Sequence, residues 1–182
     1  MPLTDTDRPT LSNLTFIPYI NDEGNLPVDY AGKVGIYAIF DESQTLQFVG
    51  YSRNVLLSLK QHLIRRPAQC HWVKITTIDR PSRTLLEEIQ NGWIEENGTA
   101  PVGNSTDQDI WTQPIDAKAQ MTEDEHQSLE QTTIDVERTT LLKSIARRVE
   151  ADINAQLGDR GLAEAIRFDP KMKEQGLLNV KP

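Results

Sequence analysis

The chain has 182 residues, 37% hydrophobic and 25% charged, with 19 Lys+Arg against 27 Asp+Glu and a formal net charge of −8. This suits a globular chain with one ordinary domain and an extension, and it excludes a strongly basic nucleic-acid-coating module. Residues 1–104 and 105–182 are each net acidic, so DNA is disfavoured as a partner outside a local basic patch.

MPLTDTDRPT at the N-terminus has no basic and apolar leader pattern. The best apolar run, Val34 to Phe40, is far short of the ~20 residues of a membrane span. Cys70 is the single cysteine, which excludes an internal disulfide and fits a reducing compartment. A cytoplasmic protein with no membrane span is expected.

Residues 1–13 are polar and carry Pro2 and Pro9, which reads as a mobile tail. Leu14 to Ile20 reads as an edge strand interrupted by Pro18, followed by a loop over 21–27. Lys33 to Phe40 is β-branched, aromatic and apolar, and so predicts a buried strand. Thr45 to Gly50 returns beside it after a turn over 41–44, making a hairpin. Ser52 to Arg66 predicts a helix with Val55, Leu56, Leu59 and Leu63 on one face, stopped by Pro67. Cys70 to Ile78 alternates like a third strand, and Asp79 to Pro81 makes the next turn. A second helix over 82–97 buries Leu85, Leu86, Ile89, Trp93 and Ile94, and Gly98 ends it. The order is β-β-α-β-α.

Residues 99–121 read as a linker or wrapping loop, with Ile110 and Trp111 as anchors. Thr122 opens one long helical pattern to about Leu157, and Thr122 with Glu125 has the spacing of a capping box. Leu129, Val136, Leu142, Ile145, Val149 and Ile153 form its stripe, acids fill its start and bases its later half. Gly158 and Gly161 break it, and a short helix and tail with apolar Leu177, Leu178 and Val180 follow. Four segments result: an N-terminal tail and edge segment (1–32), a core domain (33–104), a linker (105–121) and an α-helical extension (122–182). The fold class is α+β.

Gly35-Ile36-Tyr37, then Phe48-Val49-Gly50 with Ser52 and Asn54, then His62, then Gln90-Asn91-Gly92-Trp93-Ile94, Pro101 and Asn104 stand in order over about 70 residues. This constellation resembles the GIY-YIG nuclease family, and the β-β-α-β-α order matches that family's small mixed domain. The resemblance covers less than half the chain. It implies a tyrosine that helps activate water, an arginine on the first helix for the phosphate, and a glutamate on the second for one divalent metal.

Carried over residue by residue, the first tyrosine is Tyr37 and the second motif's tyrosine is Phe48. The arginine position holds Ser58, and the histidine is His62. The glutamate position holds Gln90, and the late asparagine is Asn104. A serine cannot supply the cationic fork of arginine, and a neutral amide is a poor ligand for a hard dication. Glu87, one turn before Gln90, is the candidate replacement metal ligand, while Arg65, seven residues beyond Ser58, lies roughly 10 Å away at 1.5 Å per residue.

The resemblance therefore implies a non-catalytic scaffold acting as an interaction module, with a protein partner and no cofactor. Two alternatives stand beside it. One is a DNA endonuclease using Mg2+ or Mn2+ through the displaced Glu87, and the other is a nucleic-acid binder without cleavage on the basic helix carrying Arg53, Lys60, Arg65 and Arg66. The long helical stripe is also a candidate homo-oligomer face. Cys70-His71 lacks a second Cys/His pair for zinc, and there is no P-loop, GxGxxG or HExxH.

Overall fold

The computed structural model describes residues 8–80 and 82–182. The readings of residues 1–7 as tail and of Pro81 as part of a turn lie outside them. The class is α+β, built on a small antiparallel sheet and several helices. The chain divides into two compact units, residues 1–112 and 113–182.

The first unit carries strands β1 (Ile17–Pro18), β2 (Gly35–Phe40), β3 (Leu46–Ser52) and β4 (Trp72–Thr77), in the sheet order β1-β4-β2-β3. Every hydrogen-bonded pair is antiparallel. β3 and β4 both oppose β2, so they run parallel to each other on either side of it. Helix α1 (Val55–Arg65) makes the crossover that such an arrangement requires.

β2 is buried at all six positions, as expected of a central strand covered on both faces. Ile36, Ala38 and Phe40 share one core cluster with Leu46, Val49, Leu86, Ile89, Trp93 and Leu11. Helix α2 (Arg83–Asn97) thus covers that face of the sheet. The alternate residue Tyr37 turns the other way, toward α1. A bulge shifts the β2–β3 register between Ile39 and Phe40, so Ile39 pairs with Phe48 but Phe40 with Leu46. The extra residue, Gln47, leaves Phe40 and Leu46 in the α2 core and Phe48 on the α1 face.

Both helices start and stop on legible signals. The Asn54 side chain accepts from the Leu57 amide at 3.3 Å and the Ser82 side chain from the Leu85 amide at 3.3 Å. Gly98, at φ 87°, closes α2 in the left-handed conformation that costs a glycine least.

Several expectations need correction. The segment from Arg8 is no mobile tail over its described part. Trp93 Nε1 donates to the Pro9 carbonyl at 2.8 Å, Glu96 accepts from the Leu11 and Ser12 amides, and Leu11 is buried in the core. The edge strand shrinks to Ile17–Pro18, because proline has no N–H to extend a ladder. The boundary between units falls at 112/113, inside the segment 105–121 that reads as a linker in the sequence. Helix α3 (Gln108–Thr112) belongs to the first unit, anchored by fully buried Trp111. Strand β5 (Ile115–Asp116) belongs to the second unit, where it pairs with β6 (Leu177–Leu178).

In the second unit the single long helix resolves into α4 (Glu123–Gln131) and α5 (Asp135–Asp159). Thr132 Oγ1 donates to the Ser128 carbonyl at 2.6 Å, and a hydroxyl serving the last turn in this way favours a break. The capping box of Thr122 and Glu125 is formed. Ile145, Val149, Ile153 and Leu157 are buried on α5, whose neighbours include the 3-10 turn Ala117–Gln120 and α6 (Pro170–Lys173). Val136, expected on that stripe, is 76% exposed.

Candidate functional site

Alternation on β2 and β3 presents Tyr37 and Phe48 on the α1 face. On α1 the i, i+4, i+7 spacing of Ser58, His62 and Arg65 places them on one stripe. α2 brings Gln90 to the free edge of β3. A hollow of about 250 Å³ is lined by Tyr37, Phe48, Ser58, His62, Arg65 and Gln90, with Gly50, Tyr51, Gln61 and Thr112. Tyr37, Phe48, Ser58, His62 and Gln90 are thus brought together from positions spread over the first unit.

The centre is a hydrogen bond of 2.8 Å between Tyr37 Oη and His62 Nε2. Both groups are buried. Burial pushes the Tyr37 phenol above its ordinary value, with Ser58 and Arg65 opposing. Burial likewise brings the His62 imidazole down to about 3, helped by the Arg65 guanidinium and slightly opposed by the Trp111 carbonyl. The pair is therefore neutral at neutral pH. A Cβ on residue 50 would lie 2.8 Å from Tyr37 Oη and 2.6 Å from Phe48 Cε1, so glycine there is what lets the phenol sit against β3.

Ser58 Oγ donates to Ser52 Oγ at 2.7 Å, which keeps it at the start of α1. Gln90 Nε2 donates to the Val49 carbonyl at 2.9 Å. Asn104 stands behind this point. It accepts from the Val49 amide at 2.7 Å and donates to the Val49 carbonyl at 2.8 Å, pairing with the edge of β3 as a further strand would. Asn104 is accordingly an edge cap and does not line the hollow.

Two further side chains complete the site: Arg65, weighed in the sequence for the arginine role, and Trp111, read there as a loop anchor. Arg65 lies in the hollow itself and donates through Nη1 to the Trp111 carbonyl at 3.0 Å; burial lowers its pKa, with Tyr37 opposing. Trp111 stacks on Phe48 with ring centroids 5.5 Å apart and planes within 1°. The i+7 spacing from Ser58 was the available signal for Arg65. Trp111 was readable as an apolar anchor in a polar segment, but its stacking on Phe48 was not, because a loop residue shows no periodicity.

Glu87 is not in the hollow. Its carboxylate accepts from Arg83 Nε at 2.7 Å and from the Tyr51 hydroxyl at 3.1 Å, and these two bonds hold it below the usual carboxylate range. No carboxylate lines the hollow, and among the described residues no three His, Cys, Asp or Glu side chains gather as a metal site. A hard dication wants several oxygen ligands with negative charge among them, which this donor set does not offer. Its chemistry is that of neutral donors and acceptors beside one cation. Cys70 lies outside the hollow, fully buried, with Sγ 3.6 Å from the His62 carbonyl.

No family model matches the chain. The bifunctional monothiol glutaredoxin-S16, chloroplastic, of Arabidopsis thaliana is 37% identical over 89 residues, which is 44% of this chain. The match spans about 30% of that relative's length. This finding overturns the GIY-YIG nuclease-like assignment, since the relative is named as a glutaredoxin. The degenerate-scaffold interaction module, the displaced-metal endonuclease and the non-cleaving nucleic-acid binder fall with it. Glu87, the ligand that the endonuclease alternative names, does not itself line the hollow and accepts from Arg83 and Tyr51. Among the described residues, no helix is long and apolar enough to cross a membrane.

Proposed function

We propose that this chain contributes to a glutaredoxin-linked thiol-redox process, as a second component beside the thiol catalyst. The link to glutaredoxin chemistry comes from the relative, whose name states two functions in one chain. The reading of this chain as a component beside the catalyst is supported by the burial of Cys70, the single cysteine of its sequence.

Thiol exchange needs a thiolate that a disulfide can reach, in electropositive and partly exposed surroundings. Cys70, fully buried, lacks that access. The polar hollow around Tyr37 and His62 is the better candidate for the chain's own working site, since strongly perturbed titratable groups in a cleft mark such places.

The test is a glutathione-dependent reduction assay on a mixed-disulfide substrate. It is run with this chain alone, with its Cys70→Ser variant, and with a monothiol glutaredoxin in the presence and absence of this chain. The chain alone should give no Cys70-dependent turnover, and it should change the turnover of the glutaredoxin. Cys70-dependent turnover by the chain alone would make it the catalyst, and a glutaredoxin indifferent to its presence would remove the link.

A further inference from the structure

A second hollow in the first unit, of about 400 Å³, is lined by Val34, Tyr51, Ser52, Arg53, Ser82, Arg83 and Leu86. Val34 and Leu86 are its apolar part, and Tyr51 adds an aromatic ring. Arg53 and Arg83 bring two guanidinium groups to it, and no carboxylate lines it. In a chain of net charge −8 such a lining is unusual. The volume is that of a small-molecule site.

We propose that this hollow binds a small phosphate monoester carrying an aromatic or apolar body. The phosphate dianion matches two arginine forks, which hold phosphate bidentately. Arg53 has no hydrogen bond or ion pair among the described residues, so its donors are available. Arg83 pairs with Glu87 in an exposed i, i+4 contact of the weak kind that a dianion can displace, and it also meets the Tyr51 hydroxyl. Ser82 Oγ accepts from the Leu85 amide and keeps its own O–H as a donor. The hollow lies where α1 and α2 begin, so the positive ends of both helices add to the arginines without being the basis of the site. The body of the ligand would rest on Val34, Leu86 and Tyr51.

A nucleic acid is the less suitable occupant. Its affinity comes from many phosphate contacts, and this face offers two arginines on an acidic chain. The site shares Tyr51 with the Tyr37–His62 hollow but none of that hollow's other lining residues, and it is independent of the glutaredoxin link.

Amide chemical shifts of the full chain would be followed while titrating phenyl phosphate, inorganic phosphate and a short single-stranded oligonucleotide. Phenyl phosphate should shift amides at 51–53 and 82–86 saturably. It should bind about tenfold more tightly than inorganic phosphate, reflecting its buried ring. Arg53→Ala and Arg83→Ala should each weaken it about tenfold with no change in melting temperature, since both side chains are exposed. Binding unchanged in both variants, shifts confined to other residues, or no saturation would overturn the site. Inorganic phosphate binding equally well, or the oligonucleotide binding more tightly, would overturn the assigned ligand class.

Discussion

Tyr37 and His62 share a buried 2.8 Å hydrogen bond that ties the central strand of the first unit to its crossover helix. The phenol stays protonated, so it donates and His62 Nε2 accepts. The imidazole proton is then on Nδ1, a buried atom with no hydrogen-bond partner among the described residues.

That geometry fixes a pH dependence. His62 titrates at about 3 in the folded chain against about 6.5 when unfolded. Between these values the unfolded chain binds the proton and the folded chain does not, so acid favours unfolding. Stability should therefore fall as pH drops below about 6.5, by a total on the order of a few kcal/mol near pH 3. His62→Gln should flatten this part of the profile relative to the unmodified chain. Thermal melts of both proteins at matched pH values, with the difference plotted, would check it; parallel curves would show that His62 does not titrate as the burial requires.

Periodicity and alternation made the hairpin, α1, β4 and α2 legible, because Leu59, Leu63, Ile89 and Trp93 recur where a covered helix face demands them. The capping box at Thr122 was equally legible, being a local four-residue device. Residues 8–13 and 101–112 were not legible, since each is held by a few long-range contacts. Trp93 with Pro9 and Phe48 with Trp111 leave no period in the chain. The candidate site was readable as a set of positions, and Tyr37, Phe48, Ser58, His62 and Gln90 do line one hollow. The edge that Asn104 caps and the partners that Glu87 meets were not readable, because spacing along a chain does not say which edge or which partner a side chain meets.

Asn104 gives the second prediction. Its side chain satisfies both backbone groups of Val49 on the free edge of β3. Asn104→Ala leaves a donor and an acceptor unpaired in a part-buried setting, at a cost of about 1–3 kcal/mol. Urea denaturation should show a lower midpoint with an unchanged slope. Asn104→Asp should be worse than the loss of one bond suggests, because a carboxylate oxygen would face the Val49 carbonyl.

The third prediction concerns α5, where Ile145 is 1% and Val149 0% exposed. A charged group placed there has no partner and strongly disfavours the folded state. Ile145→Asp with Val149→Asp should unfold the second unit, seen as a loss of helical circular dichroism. Val136→Asp, at 76% exposure on the same helix, should leave the signal and the melt unchanged.

The last prediction reverses the amide at Gln90. Its Nε2 donates to the Val49 carbonyl, which also accepts from Asn104. Gln90→Glu replaces the donor with a carboxylate oxygen facing a carbonyl oxygen, so the ionised form is disfavoured and its pKa rises. A raised carboxyl pKa makes the penalty grow as pH climbs through the ordinary value of about 4.3 and level off above the folded value. At neutral pH the variant should be about 1–3 kcal/mol less stable than the unmodified chain, and close to it near pH 4. Mg2+ should not restore the loss, because a single carboxylate among Ser58, His62 and Arg65 makes a poor site for a hard dication beside a guanidinium. Melts of Gln90→Glu across pH, with and without Mg2+, read both effects. A variant as stable as its parent at neutral pH would show that Gln90 is not held by Val49, and a large Mg2+-dependent gain would show that the hollow can be made a metal site after all.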